Sequence, residues 1–170
     1  MTDVKIKYLS DRAVPPEYAT DGSLGMDVSA ATDAPITLKA GDRKLIPLGF
    51  ALEIPNGLGA FIFPRSGLAF RKGISMSNCV GVIDPDYRGE VKASVINHSD
   101  EDYVINPGDR IAQMVFLPVE KVALKESGEL LVTERADGDK PLSAAEFLPT
   151  SSFKATAASA SPLPTFLQSE

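Results

Sequence analysis

The stretch PGDRIAQMVFLPV, residues 107–119, has the turn-to-strand pattern that is typical of this sequence. It starts with Pro and Gly, which are typical turn residues, and continues into a mainly apolar run about as long as one buried strand. The stretch AGDRKLIPLGFAL, residues 40–52, repeats the Gly-Asp-Arg turn ahead of an apolar run. Two interpretations fit this repeat: equivalent turn-to-strand corners in the two halves of a jelly roll, or chance similarity of two common turn patterns.

Short runs with β character recur along the chain at intervals of about 8–12 residues. No window before residue 140 shows a long helical period. Many short strands separated by turns predict an all-β single domain, a jelly-roll-like barrel or sandwich. The runs are VKIKYL (4–9), KLIPLGFALEI (44–54), AFIF (60–63), EVKASVIN (90–97) and RIAQMVFLPV (110–119), and the turn formers between them are PNG (55–57), DPD (84–86) and PGD (107–109).

Length and charge limit the kinds of protein that this chain can be. Its 170 residues suit one compact domain with a hydrophobic core. Hydrophobic residues make up 44% of the sequence and charged residues 24%, which is ordinary for a soluble globular protein. The net charge of −6 argues against a nucleic-acid partner, because such a protein needs a basic face to neutralise phosphates.

Cysteine and histidine each occur once, which restricts both location and chemistry. The lone Cys79 has no partner for an internal disulfide and the N-terminus has no signal-peptide core, so we expect a cytoplasmic protein. No stretch approaches about 18 apolar residues, so we expect no membrane association. With only His98 available, zinc and Ser-His chemistry lack their usual parts, and an enzyme would depend on carboxylates, Arg, Lys and backbone groups.

The first candidate for chemistry is PRSGLA, residues 64–69, which follows the run AFIF. In one interpretation Arg65, Ser66 and Gly67 bind phosphate, through a cation, a hydroxyl and close backbone approach at a helix start. In the other, the segment is only a helix start with Ser66 as its N-cap.

The second candidate is NCVGVIDPDYRGE, residues 78–90, in which an apolar run enters Asp-Pro-Asp-Tyr and leaves into EVKASVIN. The pattern predicts a hairpin that can hold a planar base against its backbone edge, with Asn78 completing the hydrogen bonds. Asp84 at its tip is suited to activate a water, and Tyr87 to lie flat against a sugar. The alternative is a plain type I turn.

The third candidate is Gln113, an amide inside the apolar run at 110–119. A buried amide must find hydrogen-bond partners. Gln113 is therefore either a satisfied structural amide or a ligand contact.

The order and spacing of these three segments along the chain resemble those of the motifs of the homotrimeric dUTP pyrophosphatase (dUTPase) family. Four of the five motifs of that family are matched over about residues 4–135. The resemblance implies a dUTPase-type jelly roll with a short helix after PRSG, and a homotrimer. The matched motifs are GSLGMDVSA (22–30), PRSGLA (64–69), NCVGVIDPDYRGE (78–90) and GDRIAQMVF (108–116).

The resemblance also implies an activity, the hydrolysis of dUTP to dUMP and pyrophosphate, which clears dUTP from the nucleotide pool and supplies dUMP for thymidylate synthesis. Asp84 would orient and deprotonate the water that attacks the α-phosphorus. Mg²⁺ is the implied cofactor, held mainly by the triphosphate and waters. For binding, the resemblance implies phosphate contacts for Arg65, Ser66, Gly67, Gln113 and Arg135, uracil contacts for Asn78 and the backbone of Val82, Ile83 and Asp84, a deoxyribose contact for Tyr87, a position near the nucleotide for Lys92, and a supporting role without substrate contact for Asp27.

The fifth motif of the family, an Arg followed by a glycine-rich stretch with an aromatic residue, is only partly matched. The segment 133–135, Thr-Glu-Arg, and Gly138 fit it. The substituted positions lack the conformational freedom of glycine, and their acids would repel a triphosphate, so we expect weakened closure over the nucleotide. We expect a dUTPase-like domain over 1–135 and a flexible tail over 136–170. Ala136 and Asp139 stand where glycines are expected and Lys140 where the aromatic residue is expected, and the acids are Asp137 and Asp139.

The sequence leaves two alternatives open. One is a catalytically weak or silent dUTP-binding or regulatory protein on the same scaffold, which the altered fifth motif favours and which Asp84, Tyr87 and Gln113 argue against. The other is a relative of dCTP deaminase, which shares the fold, although PRSGLA and DPDY fit the dUTPase pattern better.

Overall fold

The computed structural model describes residues 2–131 and 133. Over these residues the chain forms twelve strands and one helix, all within a compact unit that ends at Leu124. The all-β prediction is therefore confirmed. The strands are β1 (Lys5–Tyr8), β2 (Glu17–Tyr18), β3 (Met26–Ser29), β4 (Ile36–Leu38), β5 (Arg43–Pro47), β6 (Phe50–Glu53), β7 (Leu58–Pro64), β8 (Ile74–Met76), β9 (Gly81–Ile83), β10 (Lys92–Asn97), β11 (Tyr103–Ile105) and β12 (Arg110–Pro118), and the helix is α1 (Ser66–Lys72).

The strands form antiparallel sheets, the largest of which has the order β2-β3-β12-β7-β9. A second sheet has the order β5-β10-β8, and two further pairs are β1-β6 and β4-β11. Side chains from the two larger sheets meet in one core cluster, which includes the fully buried Val28, Ile46, Ile62 and Val95. Burying each side chain of this kind stabilises the fold by about 1.5–3 kcal/mol.

The two Gly-Asp-Arg turns are equivalent corners, because they share one hydrogen-bond pattern. In each, the turn glycine has a positive φ, +76° at Gly41 and +82° at Gly108. In the first turn, the Gly41 N–H donates to the Asn97 carbonyl, and the Asn97 N–H donates to the Asp42 carbonyl. In the second turn, the Gly108 N–H donates to the Ala30 carbonyl, and the Ala30 N–H donates to the Asp109 carbonyl. The N···O distances of these bonds lie between 2.8 and 3.0 Å.

The run KLIPLGFALEI forms two strands and not one, since the chain breaks between β5 and β6. Gly49, at the break, has a φ of +74°. A Cβ at this position would lie 2.8 Å from the Cβ atoms of both Ala13 and Ala31. Only glycine satisfies both conditions, so this residue fixes the corner.

The hairpin predicted around DPDY is wrong. β9 pairs with β7, whereas β10 pairs with β5 and β8. The segment 84–91 therefore carries the chain from the five-stranded sheet to the three-stranded sheet. Apolar runs on both sides of a turn indicate two strands, but they do not indicate whether those strands pair with each other.

The fifth-motif segment, the predicted tail at 136–170 and the predicted domain boundary at 135 lie outside the described residues. In the described part of the chain, no helix is both long and apolar enough to cross a membrane.

Candidate functional site

Three adjacent strands bring three of the predicted site residues together. On β12, Gln113 is directly opposite Asp27 of β3 on one side and Phe63 of β7 on the other. β7 ends at Pro64, and Arg65 follows it at the same end of the sheet. A cleft of about 530 Å³, here called the arginine cleft, opens at this point. Its lining includes Asp27, Arg65, Ser66, Gly67, Arg71 and Gln113.

The Asp27 carboxylate holds two guanidinium groups. Arg65 Nε donates to Asp27 Oδ1 at 2.8 Å, and Arg110 Nη1 donates to Oδ2 at 3.0 Å. Arg65 Nη1 also donates to the Arg110 carbonyl at 3.1 Å. The Asp27 side chain is only 19% exposed, so these charge-assisted bonds are partly shielded from water. The three groups together carry a net positive charge beside the cleft.

Arg110 is a functional candidate that sequence reasoning missed. It lies within the matched motif GDRIAQMVF, but in the sequence it reads as a turn residue ahead of a strand. No local sequence pattern indicates its role, which depends on the bond to Asp27 and on an irregularity in β12, where the register against β3 shifts between Arg110 and Ala112.

The amide of Gln113 is partly satisfied by the protein and partly available. Its Nε2 donates to the Pro64 carbonyl at 3.0 Å, which leaves the second N–H of the amide for another acceptor in the cleft. Gly25 makes room for it, since a Cβ there would lie 2.9 Å from Gln113 Oε1 and 3.3 Å from Val115 Cγ2. Gln113 is thus a partly satisfied structural amide, and its contact with a ligand stays a prediction.

Ser66 is not the N-cap of α1, so that interpretation is wrong. Arg65 occupies the cap position with extended backbone, φ −86° and ψ 123°, and there is no side-chain capping bond. The chain enters the helix directly from β7, which places Ser66 inside the first turn. Its exposed hydroxyl makes no hydrogen bond to the residues that the structure describes, and it faces the arginine cleft.

The second group of predicted residues lines another cleft, of about 230 Å³, here called the Asp84 cleft. Asp84 and Tyr87 are the ends of one turn, in which the Tyr87 N–H donates to the Asp84 carbonyl at 3.1 Å. The Asp84 carboxylate is exposed and makes no hydrogen bond or ion pair with any described residue. The lining is Leu45, Val82, Ile83, Asp84, Tyr87, Glu90 and Lys92, of which the sequence did not single out Leu45 and Glu90.

Glu90 organises the wall of the Asp84 cleft. Its carboxylate accepts from the Gly49 N–H at 3.2 Å and lies 3.5 Å from Lys92 Nζ. Its carbonyl accepts from the Tyr87 hydroxyl at 3.1 Å. The Tyr87 ring lies against Gly89, where a Cβ would be 2.6 Å from Tyr87 Cζ. Gly89 therefore leaves room for the ring, and the bond to the Glu90 carbonyl holds its hydroxyl in place.

β9 presents an unpaired backbone edge among the described strands, since it pairs with β7 only. Val82 and Ile83 lie on this edge strand, and Asp84 follows directly. Asn78 precedes the strand and does not line the Asp84 cleft. Its carbonyl accepts from the Val80 N–H at 2.6 Å, in a tight turn around Cys79, whose φ is +61°.

Tyr103, on β11, is electrostatically linked to the arginine cleft. Burial raises the pKa of its phenol, the Asp109 carboxylate raises it further, and the positive charge of Arg65 acts in the opposite direction. The net shift is upward, so Tyr103 stays a neutral phenol at physiological pH.

The described residues contain no group of three or more His, Cys, Asp or Glu side chains that could hold a metal ion. Both Asp27 oxygens already accept hydrogen bonds from arginines. A hard cation such as Mg²⁺ would therefore fit here only with oxygen ligands supplied mainly by a bound phosphate chain and waters.

The two clefts are separate within one chain. They share no lining residue, and they lie towards opposite ends of β7. Ile83 is opposite Ala60, and the four steps from Ala60 to Pro64 span about 14 Å. Asp84 follows Ile83, and Arg65 follows Pro64, so the two residues lie beyond opposite ends of this span.

Known proteins resemble this chain in both sequence and structure. A sequence profile of the dUTPase family matches residues 11–143. Proteins named deoxyuridine 5'-triphosphate nucleotidohydrolase from Rickettsia felis and Rickettsia bellii are 49% and 50% identical over 139 residues, covering 81% of this chain and 94% and 93% of theirs. The protein of that name from Syntrophotalea carbinolica is 44% identical over 135 residues, 79% of this chain and 92% of its own.

Among solved structures, the dUTPase from phage phi11 of S. aureus is 23% identical, with a TM-score of 0.70 over 76% of this chain and 98% of that one. A variant of the phage 80alpha dUTPase is 24% identical, with a TM-score of 0.73 over 79% and 95%. These likenesses confirm the jelly-roll-type fold. The solved structure of a variant of the phi11 dUTPase shows how that protein coordinates a structural Mg(II) ion.

Proposed function

Because this chain belongs to the dUTPase family, we propose that it is a dUTP diphosphatase, which hydrolyses dUTP to dUMP and pyrophosphate. The observation that carries the proposal is the Asp84 carboxylate, which lies in a cleft beside Tyr87 and has no protein partner among the described residues. A carboxylate in this state can hold a water and take its proton. The reaction removes dUTP from the nucleotide pool and supplies dUMP for thymidylate synthesis.

In the proposed reaction, a water held by Asp84 attacks the α-phosphorus of dUTP. Asp84 accepts the proton while the new P–O bond forms. The bond from the α-phosphorus to the oxygen that bridges to the β-phosphate breaks, and pyrophosphate leaves with that oxygen and the electron pair. Positive groups of the arginine cleft bind the pyrophosphate part and stabilise the negative charge that it gains.

The edge of β9 supports a role in uracil recognition. We expect the backbone from Val82 to Asp84 to pair with the base, with Asn78 completing the hydrogen bonds. A fixed backbone edge discriminates between pyrimidines, because the amino group of cytosine would meet a donor where it needs an acceptor. Lys92, held beside Glu90, adds a positive charge to the same cleft.

Gly89→Ala is expected to reduce the preference for dUTP over UTP about tenfold, on the scale of one lost steric contact. Tyr87 is proposed to lie on the deoxyribose and leave no room for a 2′-hydroxyl, and a Cβ at residue 89 would displace its ring. The measurement is kcat/KM for both nucleotides. Gly22→Ala is the matched control, since a Cβ there meets nothing within 4 Å. An unchanged ratio in Gly89→Ala would contradict the role given to Tyr87.

Mg²⁺ is the proposed cofactor, and it would be held mainly by the phosphates of the substrate and by water. Asp27 is not available as a ligand, because both its oxygens hold arginines. When bound, the ion neutralises phosphate charge. Orientation of the phosphate chain is left to Arg65, Ser66 and Gln113.

The separation of the two clefts supports an active site shared between copies of the chain. The water at Asp84 must reach the α-phosphorus, while Arg65 must reach the phosphates next to it. A triphosphate is far shorter than the distance along β7 that divides these residues. We therefore propose that the Asp84 cleft of one copy meets the arginine cleft of another, in a homotrimer.

Co-expression of two inactive variants, Asp84→Asn and Arg65→Ala, is expected to restore activity. If each site takes Asp84 and Arg65 from different copies, random assembly leaves about a quarter of the sites with both residues intact. If both residues came from one chain, every site would lack either Asp84 or Arg65. The measurement is pyrophosphate release by purified mixed oligomers, with each variant alone as control. Absence of recovery in confirmed mixed oligomers would contradict the shared site.

The proposed activity is tested by incubating the full chain with dUTP and Mg²⁺ and following pyrophosphate release, with dCTP, dTTP and UTP as controls. We expect release from dUTP alone. Binding of dUTP without release would instead identify a silent binding protein, and release of ammonia from dCTP would identify a deaminase.

Three further points stay predictions. Arg135, the last residue of the proposed domain 1–135, is proposed as a γ-phosphate ligand, and the segment from 136 to 140 as a weakened closing element. A cytoplasmic location is proposed from the exposed thiol of Cys79, which suits a reducing compartment.

A further inference from the structure

The guanidinium of Arg71 lies against Gly67 in the arginine cleft. The two residues are four apart on α1 and therefore share one side of the helix. A Cβ on Gly67 would be 2.8 Å from Arg71 Nη2, 3.3 Å from Cζ and 3.4 Å from Nη1. Three atoms of the guanidinium thus lie close to one point, so the group is folded back over the first turn, while the residue stays exposed to solvent.

The guanidinium of Arg71 has no acidic partner in the described part of the chain. It makes no ion pair and no side-chain hydrogen bond there, although it lines a cleft of about 530 Å³. Arg65 lines the same cleft and is bound to Asp27, which also holds Arg110 beside the cleft. Asp27 is the one acid that lines the cleft among the described residues, and its oxygens are already occupied.

The charges of the cleft are therefore not balanced by the described residues. Asp27 offsets one of the two arginines that it holds, and Arg71 adds a further positive charge with five N–H donors. A planar guanidinium recognises phosphate through two parallel hydrogen bonds. The chemistry of the cleft calls for a polyanionic ligand that carries more than one negative charge.

We propose that Arg71 binds the pyrophosphate part of the substrate, a contact that rests on the proposed function. The α-phosphate must lie by Asp84, where the water attacks. Arg71 lines the arginine cleft and not the Asp84 cleft, so its ligand is the part of the phosphate chain that leaves. It is a substrate-binding residue additional to those that the sequence indicated.

Arg71→Gln, which removes the charge but keeps a long polar side chain, is the test. We expect KM for dUTP to rise about tenfold and inhibition by inorganic pyrophosphate to weaken by a similar factor, on the scale of one lost charged hydrogen bond. Inhibition by dUMP should not change, because dUMP has no pyrophosphate part. Lys72→Gln is the matched control, since Lys72 is the next residue and loses the same charge but does not line the cleft.

Three results would overturn the proposal: unchanged pyrophosphate inhibition in Arg71→Gln, an equal loss of dUMP inhibition, or an equal effect in Lys72→Gln. Calorimetric titration of inorganic pyrophosphate into the unmodified chain and both variants gives the same answer without turnover. If the chain did not hydrolyse dUTP, this titration would still decide whether Arg71 binds the anion. Failure of the activity and failure of this contact are thus distinguishable.

Discussion

Asp84→Asn is expected to lower kcat for dUTP by about 10²- to 10⁴-fold, the range that a general base contributes. The amide has the shape of the carboxylate but cannot accept the proton of the attacking water. Because Asp84 has no side-chain partner among the described residues, its replacement breaks no contact that holds the fold. The Kd for dUTP should therefore stay within about threefold of the unmodified value, since binding groups lie elsewhere.

Asp86→Asn is the matched control for this prediction. Asp86 belongs to the same four-residue turn and carries the same charge, but it lines a different groove, beside Lys5 and Arg88. Its replacement should change kcat by less than about threefold, as expected for a group that does not touch the reacting atoms. A large loss in both variants would indicate a general effect of charge near the turn. A normal rate in Asp84→Asn would exclude Asp84 as the base.

Strands bounded by turn residues were predictable, because hydrophobic runs and turn formers are local signals. The run RIAQMVFLPV corresponds to β12, and AFIF lies within β7. Which strands pair was not predictable in the same way. The choice of β7 as partner for β9 depends on the packing of the whole domain, and the hairpin prediction for DPDY is wrong for this reason.

Site residues within a recognisable sequence motif were predictable, whereas residues whose roles depend on tertiary contacts were not. Asp84, Tyr87 and Gln113 stand out in the sequence, and the structure places each in a cleft. Arg110 acquires its role from Asp27, which is 83 positions away. Arg71 acquires its role by folding back over Gly67, which no local pattern indicates.

The roles of Gly25 and Gly89 follow the same principle. Neither has a positive φ, so neither is required by the backbone. Each leaves space for a side chain of the site, Gln113 in one case and Tyr87 in the other. In the sequence they are ordinary glycines within longer motifs, and only the distances around them show what they do.

Asp27→Ala is expected to lower kcat/KM for dUTP about 100-fold, which is the effect of losing roughly two charged hydrogen bonds. Without the carboxylate, Arg65 loses its bonds from Nε and Nη2 and keeps only the one to the Arg110 carbonyl. Arg65 and Arg110 then repel each other across the gap. We also expect the free energy of unfolding to fall by about 2 kcal/mol, because the removed bonds are partly buried.

Asp33→Ala is the matched control, since it also removes an acid paired with an arginine. Its partner is Arg12, at 3.6 Å, and both side chains are largely exposed, at 95% and 61%. An exposed pair of this kind contributes about 0–1 kcal/mol, so neither activity nor stability should change appreciably. Steady-state kinetics and chemical denaturation of both variants give the comparison.

The double variant Asp27→Ala/Arg65→Ala decides how Asp27 acts. If Asp27 works by holding Arg65, the double variant should be about as active as Arg65→Ala alone, because the second change removes a contact already lost. If Asp27 acted independently, the two losses in kcat/KM would multiply. Multiplied losses would assign Asp27 a direct role at the substrate. A non-additive result would make Asp27 and Arg65 one unit, in which a partly buried carboxylate sets the position of a cation that binds the leaving group.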